Sequence, residues 1–158
     1  MKTKLIIIQI ALFLIATNTV KSQFIEDVKK EENKFIYSDA IKLFPGDSLL
    51  IEAKINGDKL TEFVKVDAIA DSSKTITLKF TYEDFGSSKA SLLKVVNPFS
   101  KTLQYKAKIR SAPWKIYSQT SIMPVLSKIF GIEMWPGKLE SIIVYDFTLK
   151  ESGSITND

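Results

Sequence analysis

From about residue 35 to residue 110, apolar and polar side chains alternate with a period of two, and turn-forming residues interrupt the alternation at short intervals. Such a rhythm places successive side chains on opposite faces of a strand. KFIYSDAI (34–41) reads as one strand, followed by a turn at FPGD (44–47). SLLIEAKI (48–55) alternates Leu49, Ile51, Ala53 and Ile55 against Leu50, Glu52 and Lys54. NGDK (56–59) follows, where Asn-Gly accepts the positive φ angles of a type I′ hairpin turn. LTEFVKVDAI (60–69) is its return strand, and ADSSK (70–74) is the next turn. TITLKFTY (75–82) sets Ile76, Leu78, Phe80 and Tyr82 against Thr75, Thr77, Lys79 and Thr81. EDFGSSK (83–89) is a loop, and ASLLKVV (90–96) is a more apolar strand that Asn97-Pro98 ends. TLQYKAKIR (102–110) points Leu103, Tyr105, Ala107 and Ile109 inward and Lys106, Lys108 and Arg110 outward. SIIVYDFTLK (141–150) presents Ile143, Tyr145, Phe147 and Leu149 as one face.

Six or seven strands joined by short turns, with no clear helical period between them, predict an all-β antiparallel β-sandwich of immunoglobulin-like topology over 35–150. A small barrel is the alternative. Residues 111–140 stand apart. They hold both tryptophans and three of the five prolines, their alternation is weak, and VLSKIFGIEMW reads as a short helical piece ending near Gly131. The prediction there is one irregular or short helical segment near 111–140.

The ends change the setting. Lys2 and Lys4 precede an apolar run from Leu5 to Ala16, and Val20 and Ser22 have the spacing that signal peptidase prefers. Residues 1–22 are therefore expected to be a signal peptide cut between Ser22 and Gln23, since the run is short of the ~20 residues a membrane-crossing helix needs. The expected product is periplasmic or secreted and is not an integral membrane protein. It has a 23–34 arm or short helix and a polar tail at 151–158. Removing the leader takes the basic count from 22 to 19 against 18 acidic residues. The near-neutral remainder gives nucleic acid no electrostatic footprint.

The sequence contains neither Cys nor His. Disulfides, cysteine nucleophiles, the Ser-His-Asp relay and imidazole or thiolate zinc sites are excluded, and packing alone must stabilise the domain. DAIADSS (67–73) has oxygen ligands for Ca²⁺ but lacks a D-x-D-x-D-G pattern, so no metal and no cofactor is expected. The acid pairs Glu26-Asp27, Asp67 with Asp71, and Glu83-Asp84 suit solvated loops better than the facing carboxylates of a glycosidase. No enzyme activity is expected.

Two surface features invite a binding reading. Lys106, Lys108 and Arg110 form an outward basic row, either an anion-binding stripe or a solvated face neutralised by neighbouring acids. Trp114, Tyr117 and Trp135, with Met134, could make an aromatic platform for a sugar, or could plug one end of the core. The function expected is a non-enzymatic exported protein binding a protein or cell-envelope partner, with a carbohydrate-binding module as the alternative.

LLKVVNPFSKTLQYKAKI (92–109), TSIMPV (120–125), EMWP (133–136) and VYDFTL (144–149) together resemble a group of small exported bacterial β-sandwich proteins. These stretches fall within 92–149, a little under half of the chain beyond the leader. The resemblance implies a sandwich fold and an exported location, and no activity or catalytic residue.

Overall fold

The computed structural model describes residues 36–37, 39–112 and 115–151. These residues form ten antiparallel strands: β1 (Ile36–Tyr37), β2 (Ala40–Leu43), β3 (Ser48–Asn56), β4 (Lys59–Val66), β5 (Ile76–Asp84), β6 (Lys89–Val96), β7 (Thr102–Ser111), β8 (Tyr117–Thr120), β9 (Phe130–Pro136) and β10 (Leu139–Lys150). No helix occurs among the described residues. The expected short helix in 111–140 is replaced by β8 and β9. The 23–34 arm and the leader lie outside the described residues.

Strand order runs β1-β2-β10-β4-β3-β5-β6-β9, and β7 pairs with β10 and β8. One arm is thus β1-β2-β10-β7-β8 and the other is β4-β3-β5-β6-β9. They join where the second half of β10 meets β4 at Thr148 and Lys59. The sheet does not close on itself, which sets aside the barrel. Inward side chains of both arms form one buried cluster, including Ile41, Leu43, Ile51, Leu78, Phe80, Leu93, Leu103 and Val144, so the architecture is sandwich-like. Alternation in β3, β5 and β7 puts Leu49, Ile51, Ile76, Leu78, Phe80, Leu103, Tyr105 and Ala107 in that core. The distal residues of two runs leave it: Ile55 and Tyr82 are exposed.

Three register shifts interrupt the pairing; one lies between Leu139 and Ser141 of β10, and the other two are bulges that reset the alternation. In β4 the register against β3 slips between Thr61 and Val64, and in β10 it slips against β7 between Tyr145 and Thr148. Glu62 (φ 52°) and Asp146 (φ 57°) take left-handed backbone at these points. Each acid pairs with a lysine on the neighbouring strand, Glu62 with Lys54 at 3.1 Å and Asp146 with Lys106 at 2.8 Å. Each is followed by a phenylalanine that turns inward, and Phe63 and Phe147 meet with ring centroids 5.0 Å apart. Because a bulge moves side chains to the opposite face, the inward set of β10 is Ile142 and Val144 before it, then Phe147 and Leu149 after it. The expected single face of Ile143, Tyr145, Phe147 and Leu149 is corrected accordingly. The β3–β4 hairpin also differs. Asn56 pairs with Lys59, so the two-residue loop is Gly57-Asp58 with positive φ only at Gly57. That matches a type II′ turn rather than I′.

Candidate functional site

The aromatic residues singled out in 111–140 do not converge. Trp114 lies outside the described residues. Tyr117 pairs with Arg110 across β8 and β7, and Arg110 pairs with Ser141 of β10. The Tyr117 hydroxyl hydrogen-bonds Ser141 Oγ at 2.7 Å, and the Arg110 guanidinium stands 5.9 Å from its ring centroid. Trp135 sits opposite the buried Ser91 and points into the sandwich. Its Nε1 donates to Thr120 Oγ1 at 2.9 Å, tying β9 to β8 across the gap between the arms. Tyr117 therefore belongs to an outer surface and Trp135 to the interior edge.

Two of the three cations in the basic row of β7 are neutralised locally, and the third lies over an aromatic ring. Lys106 meets Asp146 at 2.8 Å, Arg110 Nε donates to Glu140 at 2.7 Å, and Lys108 stands 5.5 Å from the Tyr145 ring centroid. The loop acids are also engaged. Asp71 Oδ1 accepts from Ser73 Oγ at 2.6 Å and from Ser73 N–H at 2.8 Å, and Lys74 lies 3.2 Å from Oδ2. These bonds hold its carboxyl well below the usual range, at about 2. Asp84 accepts from Gly86 N–H and pairs with Lys89. Among the described residues no three acids cluster in a way that could hold a metal ion.

The NPFSK loop is an organising knot. Asn97 is buried, and its amide Nδ2 donates to the carbonyls of Lys101, Val125 and Leu126, each at 2.9 Å, while its Oδ1 accepts from Phe99 N–H. A shallow cavity of about 340 Å³ opens beside this loop between Ile55, Phe99 and Leu149, with Lys101 and Lys128 at its rim. Lys101 is already paired with Glu151 at 2.7 Å, which raises its pKa. Lys128 Nζ donates to the Pro98 carbonyl.

A different surface is apolar and sets two lysines side by side. The outer face of β5, β6 and β9 forms rows set by strand register. Thr77 faces Val96 and Phe130, Lys79 faces Lys94 and Ile132, and Thr81 faces Leu92 and Met134. Phe130, Ile132 and Met134 are 54%, 52% and 58% exposed, and Leu126 and Ile129, in the segment that leads into β9, are also exposed. These three rows contain two lysines and no carboxylate, and the next row on the same face, Glu83 with Ala90 and Pro136, holds one acid at the far end from Phe130. The Lys94 ammonium stands 4.5 Å from the Phe130 ring centroid, so it leans towards β9. Sequence reasoning missed this surface because VLSKIFGIEMW was read as a short helical piece ending near Gly131 within an irregular segment. The alternation of Phe130, Ile132 and Met134 against Gly131, Glu133 and Trp135 was the available signal.

No protein-family model and no curated protein matches the chain. Among solved structures it is similar to the Salmonella enterica trimeric lipoprotein SadB, at 14% identity over 95% of this chain and 81% of that one, with a TM-score of 0.42. A likeness that loose transfers neither topology nor function. Among the described residues no helix is long and apolar enough to cross a membrane.

Proposed function

We propose that the chain is an exported, non-enzymatic β-sandwich protein of immunoglobulin-like kind that binds a protein partner of the cell envelope through the outer face of β5, β6 and β9. The observation that carries this reading is the line of half-exposed Phe130, Ile132 and Met134 on an edge strand. Large apolar side chains grouped on a surface mark contact sites more often than they mark chance. The engaged acids and the ion-paired Lys106 and Arg110 of β7 leave the other surfaces with less to offer.

Photo-cross-linking in envelope fractions tests the site. A cross-linker at Ile132 is expected to capture a defined partner that one at Gln119 on β8 does not, and Phe130→Lys is expected to abolish the capture. Equal capture from both positions, or capture indifferent to Phe130→Lys, overturns the assignment. Export is tested by N-terminal sequencing of the secreted material, which is expected to begin at Gln23.

A further inference from the structure

We infer that β9 is a docking edge onto which an extended, acidic and apolar polypeptide segment adds as the next strand of the sheet. This rests on the partner-binding reading above and specifies its chemistry.

Strand order ends at β9, which pairs with β6 alone. The other edges are less suited to strand addition: β1 has two residues, and β8 is the short polar run Tyr-Ser-Gln-Thr. β9 has seven residues, no lysine, and a proline only at its end. Proteins usually blunt an edge with lysine, proline or brevity, because unpaired backbone groups recruit other strands. β9 instead presents apolar side chains at every second position.

The occupant follows from charge and hydrogen bonding. Lys79 and Lys94 stand directly opposite each other, an unfavourable arrangement for like charges unless an anion joins them. A second copy of this chain joined edge to edge would add only its own Phe130, Ile132 and Met134 to that face, and packed face to face it would crowd four ammonium groups. Neither supplies a carboxylate. Lipid acyl chains offer no hydrogen bonds to a strand's free amides and carbonyls. A polypeptide strand satisfies the edge, and an acidic side chain opposite Ile132 lies in the row of Lys94 and Lys79. The pattern expected of the partner is apolar-x-acidic-x-apolar, its apolar residues beside Phe130 and Met134.

The test uses the full chain after leader removal, ¹⁵N-labelled, titrated with a synthetic peptide whose outward residues are Val, Glu and Val, and with the same peptide carrying Lys for Glu. Shifts are expected to concentrate on residues 128–138, with binding about tenfold tighter for the Glu peptide at low salt and the difference shrinking as salt rises. Lys94→Glu, at an exposed position, is expected to reverse the preference while leaving the circular dichroism spectrum unchanged. Shifts centred elsewhere, no binding, or binding blind to peptide charge would overturn the inference. So would self-association through β9 in sedimentation runs without peptide, or binding only to phosphatidylglycerol vesicles. If Ile132 still cross-links a partner while the peptides fail, strand addition falls and the partner-binding reading stands.

Discussion

Replacing Asn97 should expose how much of the fold hangs on one amide. Its Nδ2 has two hydrogens and serves three carbonyls, those of Lys101, Val125 and Leu126, so one hydrogen is shared. Its Oδ1 fixes Phe99, and its backbone N–H donates to Ile129. The group joins the β6–β7 loop to the segment between β8 and β9, and it is 1% exposed, so water does not substitute freely for it. At a net ~1 kcal/mol per hydrogen bond, with an added penalty for buried groups left unpaired, Asn97→Ala should cost about 3–4 kcal/mol. That is a large share of the roughly 5–15 kcal/mol that holds a domain of this size. Asn97→Asp is the sharper test. It is isosteric and keeps the acceptor for Phe99, but it turns a carboxylate towards three carbonyls. At pH 7 it should cost at least as much as alanine. Burial among acceptors would raise the folded pKa of the new acid above its unfolded value of about 3.9. The variant's deficit should therefore shrink as pH falls and the acid becomes a donor. Urea denaturation of both variants at pH 7 and pH 4.5 reads this directly. An Asn97→Asp protein within about 1 kcal/mol of the parent at pH 7 would refute the reasoning, as would a deficit that does not change with pH.

Other perturbations have defined signs. A Cβ on Gly131 would lie 2.8 Å from Val125 Cγ2. Gly131→Ala should therefore cost about 1–3 kcal/mol by crowding, and combining it with Val125→Ala should cost less than the sum of the two in a denaturation cycle. Phe147→Ala, which removes the ring between Phe63 and Tyr105, should cost about 3–5 kcal/mol in the same assay. Burial, followed by the nearby Glu133 carboxylate, raises the Tyr105 phenol. Its contribution is intact below the unfolded value near 10 and is lost as pH climbs beyond it, so Tyr105→Phe should flatten the alkaline limb of a stability–pH curve. Asp71 is depressed from 3.8 to about 2, chiefly by hydrogen bonds from Ser73. Its support of the 71–75 turn should be present above about pH 4 and fade towards pH 2, seen as a titration of the Ser73 amide signal that Asp71→Asn removes.

Strands β3, β5, β6 and β7 were legible because each buries one clean alternating set. Residues such as Ile76, Leu78 and Phe80 face the core, and their neighbours face water or polar contacts. The parity of β10 was not legible, since nothing in VYDFTL states that Asp146 takes a left-handed conformation and shifts Phe147 inward. β9 was hidden for a different reason. Leu126, Ile129 and Phe130 mimic helical spacing, and the apolar members of the strand itself face outward, against the rule that reads them as core. The aromatic platform was inferred from residue type without direction, and direction separates Tyr117 on an outer row from Trp135 at the inner edge.

The two arms treat their lysines differently, and that contrast bounds the strength of any contact at β9. On the β10–β7 face, Lys106 and Arg110 are paired with acids where they stand: the bulge that turns Phe147 inward also carries Asp146 to within 2.8 Å of Lys106. On the β5–β6–β9 face, Lys79 and Lys94 have no carboxylate in their rows, and Phe130, Ile132 and Met134 are about half exposed. Full burial of such side chains is worth about 1.5–3 kcal/mol each, so the remaining exposure leaves roughly 1 kcal/mol apiece to gain. One screened charge pair adds up to ~1 kcal/mol. Set against an association cost of at least ~4 kcal/mol, these terms and the backbone hydrogen bonds of one strand support a weak, reversible contact. Tight binding would require the partner to cover Leu126 and Ile129 as well, which makes those two positions the place where a high-affinity partner would differ from a short peptide.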